Sequence, residues 1–298
     1  MSGSRRKSRP QIWLEYALFR AVTAVFRRAS TASLERWSAR TAGMARRVLR
    51  KRDRIALRNL RLVFPDLPES EVRRIASECW RHYARSTFDF LRTIEVPPEA
   101  IADRFSFEGP RDEVFATLRD GSGIFVTAHL GSWEMAASIL SRFDRDVRVV
   151  ARPLDNPLID QRLLRARTRT GITIVPRRRA ARDLVRALDR GGLVIMVADQ
   201  AVRPREGVLV PFLGRPAWTT TAPARLALRF GVPIWCVYAV PEGEGFRLRI
   251  DEPIRPEALP PEQRTVEAIT ARMNEQISAR IRNAPALWLW MHDRWKGA

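Results

Sequence analysis

The chain has 298 residues, enough to bury a full core as one large domain or as a main domain with a smaller helical one. Hydrophobic residues make up 45% and charged residues 29%, with no repeats or low-complexity runs, which excludes a disordered or fibrous protein. The formal net charge of +20 is the unusual quantity, yet only Lys7, Lys51 and Lys296 among the 53 basic residues are lysines, so the arginine count reflects base composition as well as function.

Placement is more informative than the total. Residues 1–60 carry 16 Lys/Arg against Glu15, Glu35 and Asp53, which is +13 of the +20. A block of that sign attracts phosphates, whether of nucleic acid or of an anionic membrane surface. Nucleic acid is not expected, because no helix-turn-helix, zinc-finger, RRM or KH pattern is present and the basic residues are interleaved with amphipathic patterning. No apolar run reaches the roughly 18–20 residues that span a bilayer. The best one, Ile12 to Phe26, is interrupted by Glu15 and Arg20, and no signal-peptide cleavage pattern follows it, so the expected place is the cytoplasmic side. Cys79 and Cys236 have no Cys or His neighbours at ligand spacing and read as buried reduced thiols; neither a metal nor a cofactor is expected.

In chain order, residues 1–10 are polar and basic and read as a disordered arm. From Gln11 to Arg28, Ile12, Trp13, Tyr16, Ala17, Phe19, Val22, Val25 and Phe26 recur near helical spacing with Arg20, Arg27 and Arg28 beside them. Such a basic amphipathic helix lies in a membrane interface or packs on the body of the protein, and the pattern fits both. Basic helices are expected near 32–50 and 52–62, then a helix over 68–93 with Val72, Ile75, Cys79, Trp80, Tyr83, Thr87 and Phe90 on one stripe, ending before Val96-Pro97-Pro98. Residues 11–98 thus form a helical, membrane-associating region.

Beyond it, residues 99–298 change to short β-rich runs alternating with helices, the signature of an α/β sheet flanked by helices. Strands are expected at 123–129, 147–152, 173–176, 193–198, 208–212, 233–240 and 246–250. Helices are expected at 134–142, 156–170, 180–190, 219–230 and 261–283, with Asn156 as an N-cap.

His129 sits where the apolar run GIFVTAH ends, and Gly131 permits a tight bend before Glu134. In open α/β sheets ligands gather at that end of the strands. A carboxylate five residues on, in the first helical turn, folds back to hold one ring N–H and leaves the other nitrogen free to take a proton. That suits thioester chemistry, in which a hydroxyl is deprotonated as it attacks; no G-x-S-x-G nucleophile elbow is present. A structural histidine explains an isolated H-x4-E equally well. Thr219 and Thr220, with Thr221, lead into an expected helix after Gly214-Arg215-Pro216, which suits either a bound phosphate or ordinary capping. The Trp-rich tail 287–295 reads as core or as the wall of an acyl channel, with His292 structural, and His82 as a surface or packing residue.

Several ordered blocks carry a resemblance: TAHLGSWEMA at 127–136, VARPLDNPLID at 150–160, MVADQ at 196–200, GVLVPFLGRPAWTTTAPARLALRFGVPI at 207–234 and LWLWMHDRWK at 287–296. Together they resemble the lipid A biosynthesis acyltransferases and the related phosphatidylinositol mannoside acyltransferases, from about Trp13 to Lys296. The resemblance implies a mixed sheet flanked by helices of the glycerol-phosphate-acyltransferase type. It also implies an acyl carrier protein or acyl-CoA as donor and a hydroxyl of an anionic glycolipid as acceptor, a lipid A precursor first, a phosphatidylinositol mannoside or other lysolipid next. The expected location is the cytoplasmic face of the inner membrane. The family's histidine falls on His129, its acidic partner on Glu134, its Arg-Pro pair on Arg152-Pro153 and its Asp-Gln pair on Asp199-Gln200. Arg152 is then expected to bind a phosphate or the developing oxyanion, and Asp199 to orient Arg152 or hold the acceptor sugar; a salt bridge closing the sheet edge is the other reading of both.

Overall fold

The computed structural model describes residues 7–151, 153–176 and 180–298. Four helices come first: α1 (Arg9–Arg27), α2 (Thr31–Val48), α3 (Arg50–Val63) and α4 (Glu69–Thr93), followed by the short α5 (Pro98–Ala102). The first of these overruns the arm expected at 1–10, because the Ser8 hydroxyl caps it and Pro10 falls in its first turn, where its missing N–H costs nothing.

The α/β region then runs β1 (Phe105–Glu108), α6 (Arg111–Arg119), β2 (Gly123–Thr127), α7 (Trp133–Ala136), β3 (Val147–Ala151), α8 (Pro157–Thr168), β4 (Ile172–Pro176), α9 (Ala180–Asp189) and β5 (Leu193–Val197). The hairpin β6 (Gly207–Phe212) and β7 (Arg215–Thr220), α10 (Ala222–Phe230), β8 (Ile234–Glu242), β9 (Gly245–Ile250) and α11 (Val266–Asn283) complete it. Seven strands form one sheet in the order β1-β9-β8-β2-β5-β3-β4, parallel except where β8 meets β9. The fold is therefore a mixed α/β sheet flanked by helices.

Every residue of β2 is buried, as expected of a central parallel strand covered on both faces. Ile124 and Val126 enter the cluster that contains α3, α4, α10 and α11, whereas Phe125 enters the opposite one with α5 and α6. Period-2 alternation thus divides one apolar run between two cores.

Four readings of the sequence shift. The helix expected over 261–283 begins at Val266, capped by Thr265, after a separate 3-10 turn at Pro261–Gln263. The helix expected over 134–142 is one α-turn, α7, continued as a 3-10 helix over Ala137–Arg142. The helix expected from Thr219 begins at Ala222, because residues 215–220 pair with 207–212 as a hairpin whose tip, Leu213 and Gly214, has positive φ. On α4 the expected stripe drifts, leaving Tyr83 and Thr87 exposed while Phe88 and Asp89 are buried.

On α1, Phe26 is buried and stacks on Phe88 of α4 at 4.1 Å between ring centres. Trp13, Leu14, Leu18 and Val25 remain 61–73% exposed, as do Met44 and Val48 of α2, so the amphipathic helix both packs and presents apolar surface. No helix among the described residues is long and apolar enough to cross a membrane.

Candidate active site

Strands β2 and β5 are parallel neighbours paired from Gly123↔Leu193 to Thr127↔Val197. His129 and Asp199 each lie two residues past those last partners, so equal register delivers them side by side at the C-terminal edge of the sheet. The ring Nδ1 of His129 lies 2.8 Å from Asp199 Oδ1, and the His129 backbone N–H donates to Asp199 Oδ2 at 2.9 Å. A third donor reaches the same carboxylate from far along the chain: the Trp288 indole N–H, 2.7 Å from Oδ2. Asp199 keeps 2% side-chain exposure and His129 23%, so the carboxylate stands behind an imidazole that faces the opening.

The bend that sets His129 depends on Gly131, whose φ is +65° and where an added Cβ would fall 2.2 Å from the Ala239 carbonyl oxygen. A side chain there would force the turn away from β8. The bend is further held by the Ser132 N–H on that same oxygen at 2.7 Å.

Glu134 does not hold the histidine ring. Its carboxylate is taken by Arg167 of α8 at 2.5 and 3.1 Å, a two-point contact that leaves the Nδ1 position to Asp199. The reason is geometric: α7 turns Glu134 toward α8, whereas β5 carries Asp199 directly alongside. Asp199, expected to orient Arg152 or hold the acceptor sugar, holds the His129 ring and backbone. Arg152 lies outside the described residues.

The Gln200 amide nitrogen sits 3.4 Å from both ring nitrogens of His129. Trp133 presents its ring to the imidazole edge-on at 5.2 Å and is stacked on Tyr83 at 6.2 Å. His82 of α4 is half-buried against the same loop, its ring beside the Gly131 backbone. His292 is not merely core: its Nε2 accepts the N–H of Ala201, the residue after Gln200, at 3.1 Å.

Electrostatics follow from these contacts. Burial disfavours the His129 imidazolium, but the charge and hydrogen bond of Asp199 and the charge of Glu134 outweigh it and make His129 more basic than an ordinary histidine. Burial likewise opposes the Asp199 carboxylate, and it is overcome by His129, Trp288 and the His129 backbone N–H, which hold its pKa below the usual carboxylate range. Burial pushes the Cys79 thiol up to about 12 and Cys236 higher still, so neither supplies a thiolate at neutral pH.

Thr219 is not open to a phosphate. Thr219 is fully buried, and its hydroxyl donates to the Ala217 carbonyl while accepting from Asn274 and Arg294 at 3.0 and 2.6 Å, which saturates it. The Thr220 hydroxyl accepts from the Ala222 N–H at the start of α10, the capping alternative. Asn156 caps α8 as expected, accepting from the N–H groups of Leu158 and Ile159, and its amide also reaches the Ile12 carbonyl and Glu15 of α1.

Two recesses flank the His129 edge. One is apolar, walled by Phe90, Ile94, Val96, Ile101, Met135 and Ala137, with Glu134 at its rim. The other is an open cleft of about 1550 Å³ bounded by Arg52, Leu154, Ala201, Arg203, Arg205 and His292.

Trp288 is the site residue that sequence reasoning missed. Its surroundings were visible as a Trp-rich tail, but nothing in the spacing connects position 288 to position 199.

The chain is 27% identical over 256 residues to the lipid A biosynthesis lauroyltransferase of Escherichia coli (strain K12), covering 85% of this chain and 82% of that one. It is 26% identical over 260 residues to the lipid A biosynthesis palmitoleoyltransferase of the same organism, covering 86% and 83%. To the phosphatidylinositol mannoside acyltransferase of Mycolicibacterium smegmatis it is 26% identical over 189 residues, covering 62% of this chain and 60% of that one. The family model for bacterial lipid A biosynthesis acyltransferases matches residues 1–297, and with that match over essentially its whole length the chain belongs to that acyltransferase family.

Proposed function

We propose that this acyltransferase moves a fatty acyl group from a thioester, carried on acyl carrier protein or CoA, to a hydroxyl of an anionic glycolipid, with His129 as general base. The observation that carries the reading is the pairing of His129 Nδ1 with Asp199 at 2.8 Å, which leaves Nε2 as the proton acceptor. In the reaction the acceptor hydroxyl loses its proton to Nε2 as its oxygen attacks the thioester carbonyl. The new C–O bond forms, the C–S bond breaks, and the departing thiolate takes the proton from the imidazolium. Asp199 stabilises the imidazolium that exists between the two steps, so no covalent enzyme intermediate is needed. The raised pKa values of both thiols accord with that route.

The open cleft bordered by Arg52, Arg203 and Arg205 suits a phosphorylated headgroup. Arg152 is assigned to phosphate or oxyanion binding on family resemblance. The acceptor proposed first is a lipid A precursor, because the lipid A enzymes match 85–86% of the chain against 62% for the mannoside enzyme. The exposed Trp13, Leu14 and Leu18, with the arginines of α1 and α2, suit a peripheral position on an anionic membrane, taken here as the cytoplasmic face of the inner membrane.

The test is to incubate purified protein and its His129→Ala variant with acyl carrier proteins of several chain lengths and with lipid A precursor, phosphatidylinositol mannoside or lysolipid acceptors, then weigh the products. Transfer to a glycolipid by the parent and none by a folded variant is expected. Full activity in the variant removes the base mechanism, and acylation of lysolipids alone removes the glycolipid.

A further inference from the structure

The C-terminal segment after α11 does more than close a core. It runs back against the loop that holds His129, with Leu130 and Trp288 forming an isolated antiparallel bridge. The Leu289 N–H donates to the His129 carbonyl at 3.1 Å and the Gly131 N–H to the Leu287 carbonyl at 3.0 Å. From the same segment, Trp288 reaches Asp199 and His292 receives the N–H of Ala201. One stretch of about six residues therefore grips both loops, 129–131 and 199–201, that present the base and its carboxylate. Trp288 is itself immobilised: it is 1% exposed, its carbonyl receives the Cys79 thiol at 2.9 Å, and its ring is enclosed by Phe212, Trp290 and Trp295.

We infer that Trp288 is a positioning residue of the active site, whose indole N–H fixes the Asp199 carboxylate and, by sharing its charge, limits how strongly Asp199 holds a proton on His129. The inference rests on His129 being the base. The argument is one of competing donors. Asp199 has one oxygen for the imidazole and one for two N–H groups, the Trp288 indole and the His129 amide. A buried carboxylate with fewer donors concentrates its charge on those that remain. Without the indole, Asp199 pulls harder on the imidazolium and is free to rotate out of register.

Other charges around the pair come from several elements. Glu134 of α7 acts on His129 while paired with Arg167 of α8. His292 and Arg294 of the C-terminal segment act toward Asp199, Arg52 of α3 toward His292, and His82 of α4 lies against the Gly131 backbone. None of these touches Asp199 Oδ2, so loss of the indole donor leaves them in place.

The experiment measures pH profiles of kcat/KM and kcat for full-length Trp288→Phe, with Trp290→Phe as control. Trp290 is also a buried indole, but it donates its N–H to the Pro285 carbonyl at 2.7 Å and not to Asp199. Trp288→Phe is expected to lose about tenfold or more in kcat, the size a hydrogen bond to a charged group carries, and to move the acidic limb of kcat/KM upward by about half a pH unit. Trp290→Phe is expected to keep the parent limb. If Trp288→Phe does not fold, benzothienylalanine at position 288, which has the indole shape without its N–H, gives the same comparison. A limb identical to that of the parent, whether or not activity falls, reduces Trp288 to packing and overturns the inference. His129→Ala separates the two levels: an inactive His129 variant beside an unshifted Trp288 variant sinks only the positioning role, whereas an active His129 variant sinks the base and this role together.

Discussion

The guanidinium of Arg167 meets both oxygens of Glu134, at 2.5 and 3.1 Å, and so ties α8 to α7 beside the loop that holds His129. Both side chains keep about a quarter of their exposure, 23% and 24%, which places the pair at the rim of the site and not behind the histidine. Partly exposed pairs of this kind contribute on the order of 1 kcal/mol or less. Glu134→Gln is therefore expected to lower kcat by about tenfold or less and to shift the melting temperature only slightly. Because the charge of Glu134 helps raise the His129 pKa, its acidic limb should move down in pH. A loss as deep as that of His129→Ala would return Glu134 to the chemistry itself.

Asp199→Asn is expected to be far more damaging. It keeps the shape but offers the wrong charge and an ambiguous donor to Nδ1, and the analogous change in serine-protease triads costs about 10⁴ in kcat. A fall of about 10³ or more, read in single-turnover acyl transfer, separates this carboxylate from Glu134. Comparable rates for the two variants would contradict the partner assignment.

The pH dependence has a definite sign. His129 accepts a proton only when neutral, and its pKa lies above the ordinary 6.5. Activity should thus rise with pH through a midpoint above that value and then level off. In any residual activity of Asp199→Asn the midpoint should fall, because the charge that stabilised the imidazolium is gone. A profile already flat below pH 6.5 in the parent would be incompatible with His129 as its controlling group.

For Thr219, the expected effect is on stability. Thr219→Val strips the hydroxyl that accepts from Asn274 and Arg294, the latter a buried guanidinium already pushed down to about 10 by burial. Leaving such donors unmet costs about 1–3 kcal/mol each. Chemical denaturation should show that loss with little change in KM; a selective rise in KM for the phosphorylated acceptor would restore the phosphate reading.

Membrane association is best tested by point changes. Removing residues 1–28 also deletes the partners of Asn156 at Ile12 and Glu15 and the Phe26 ring stacked on Phe88, so folding and binding would be lost together. Trp13→Ser with Leu14→Ser and Leu18→Ser removes exposed apolar surface alone. Flotation with anionic liposomes should fall by about tenfold or more, and an unaltered bound fraction would argue against α1 as an anchor.

Much of this molecule was legible from residue order because its determinants are local. Apolar runs such as GIFVTAH and LVIMV specify buried strands, helical spacing specifies α1 to α4, and Gly131 after His129 marks the turn that exposes the imidazole. Asn156 before Pro157 announces an N-cap. The short edge strand β1 and the hairpin strand β7 were not legible, since four residues of FSFE carry little signal and Pro216 reads as a turn. The partner of His129 depended on strand order. Sequence places Glu134 nearer, but only the parallel pairing of β2 with β5 brings Asp199 alongside, 70 residues away. The same holds for Trp288, delivered 89 residues later by a backbone bridge to Leu130. Local patterning sets which groups stand at the end of a strand; non-local pairing decides which of them meet.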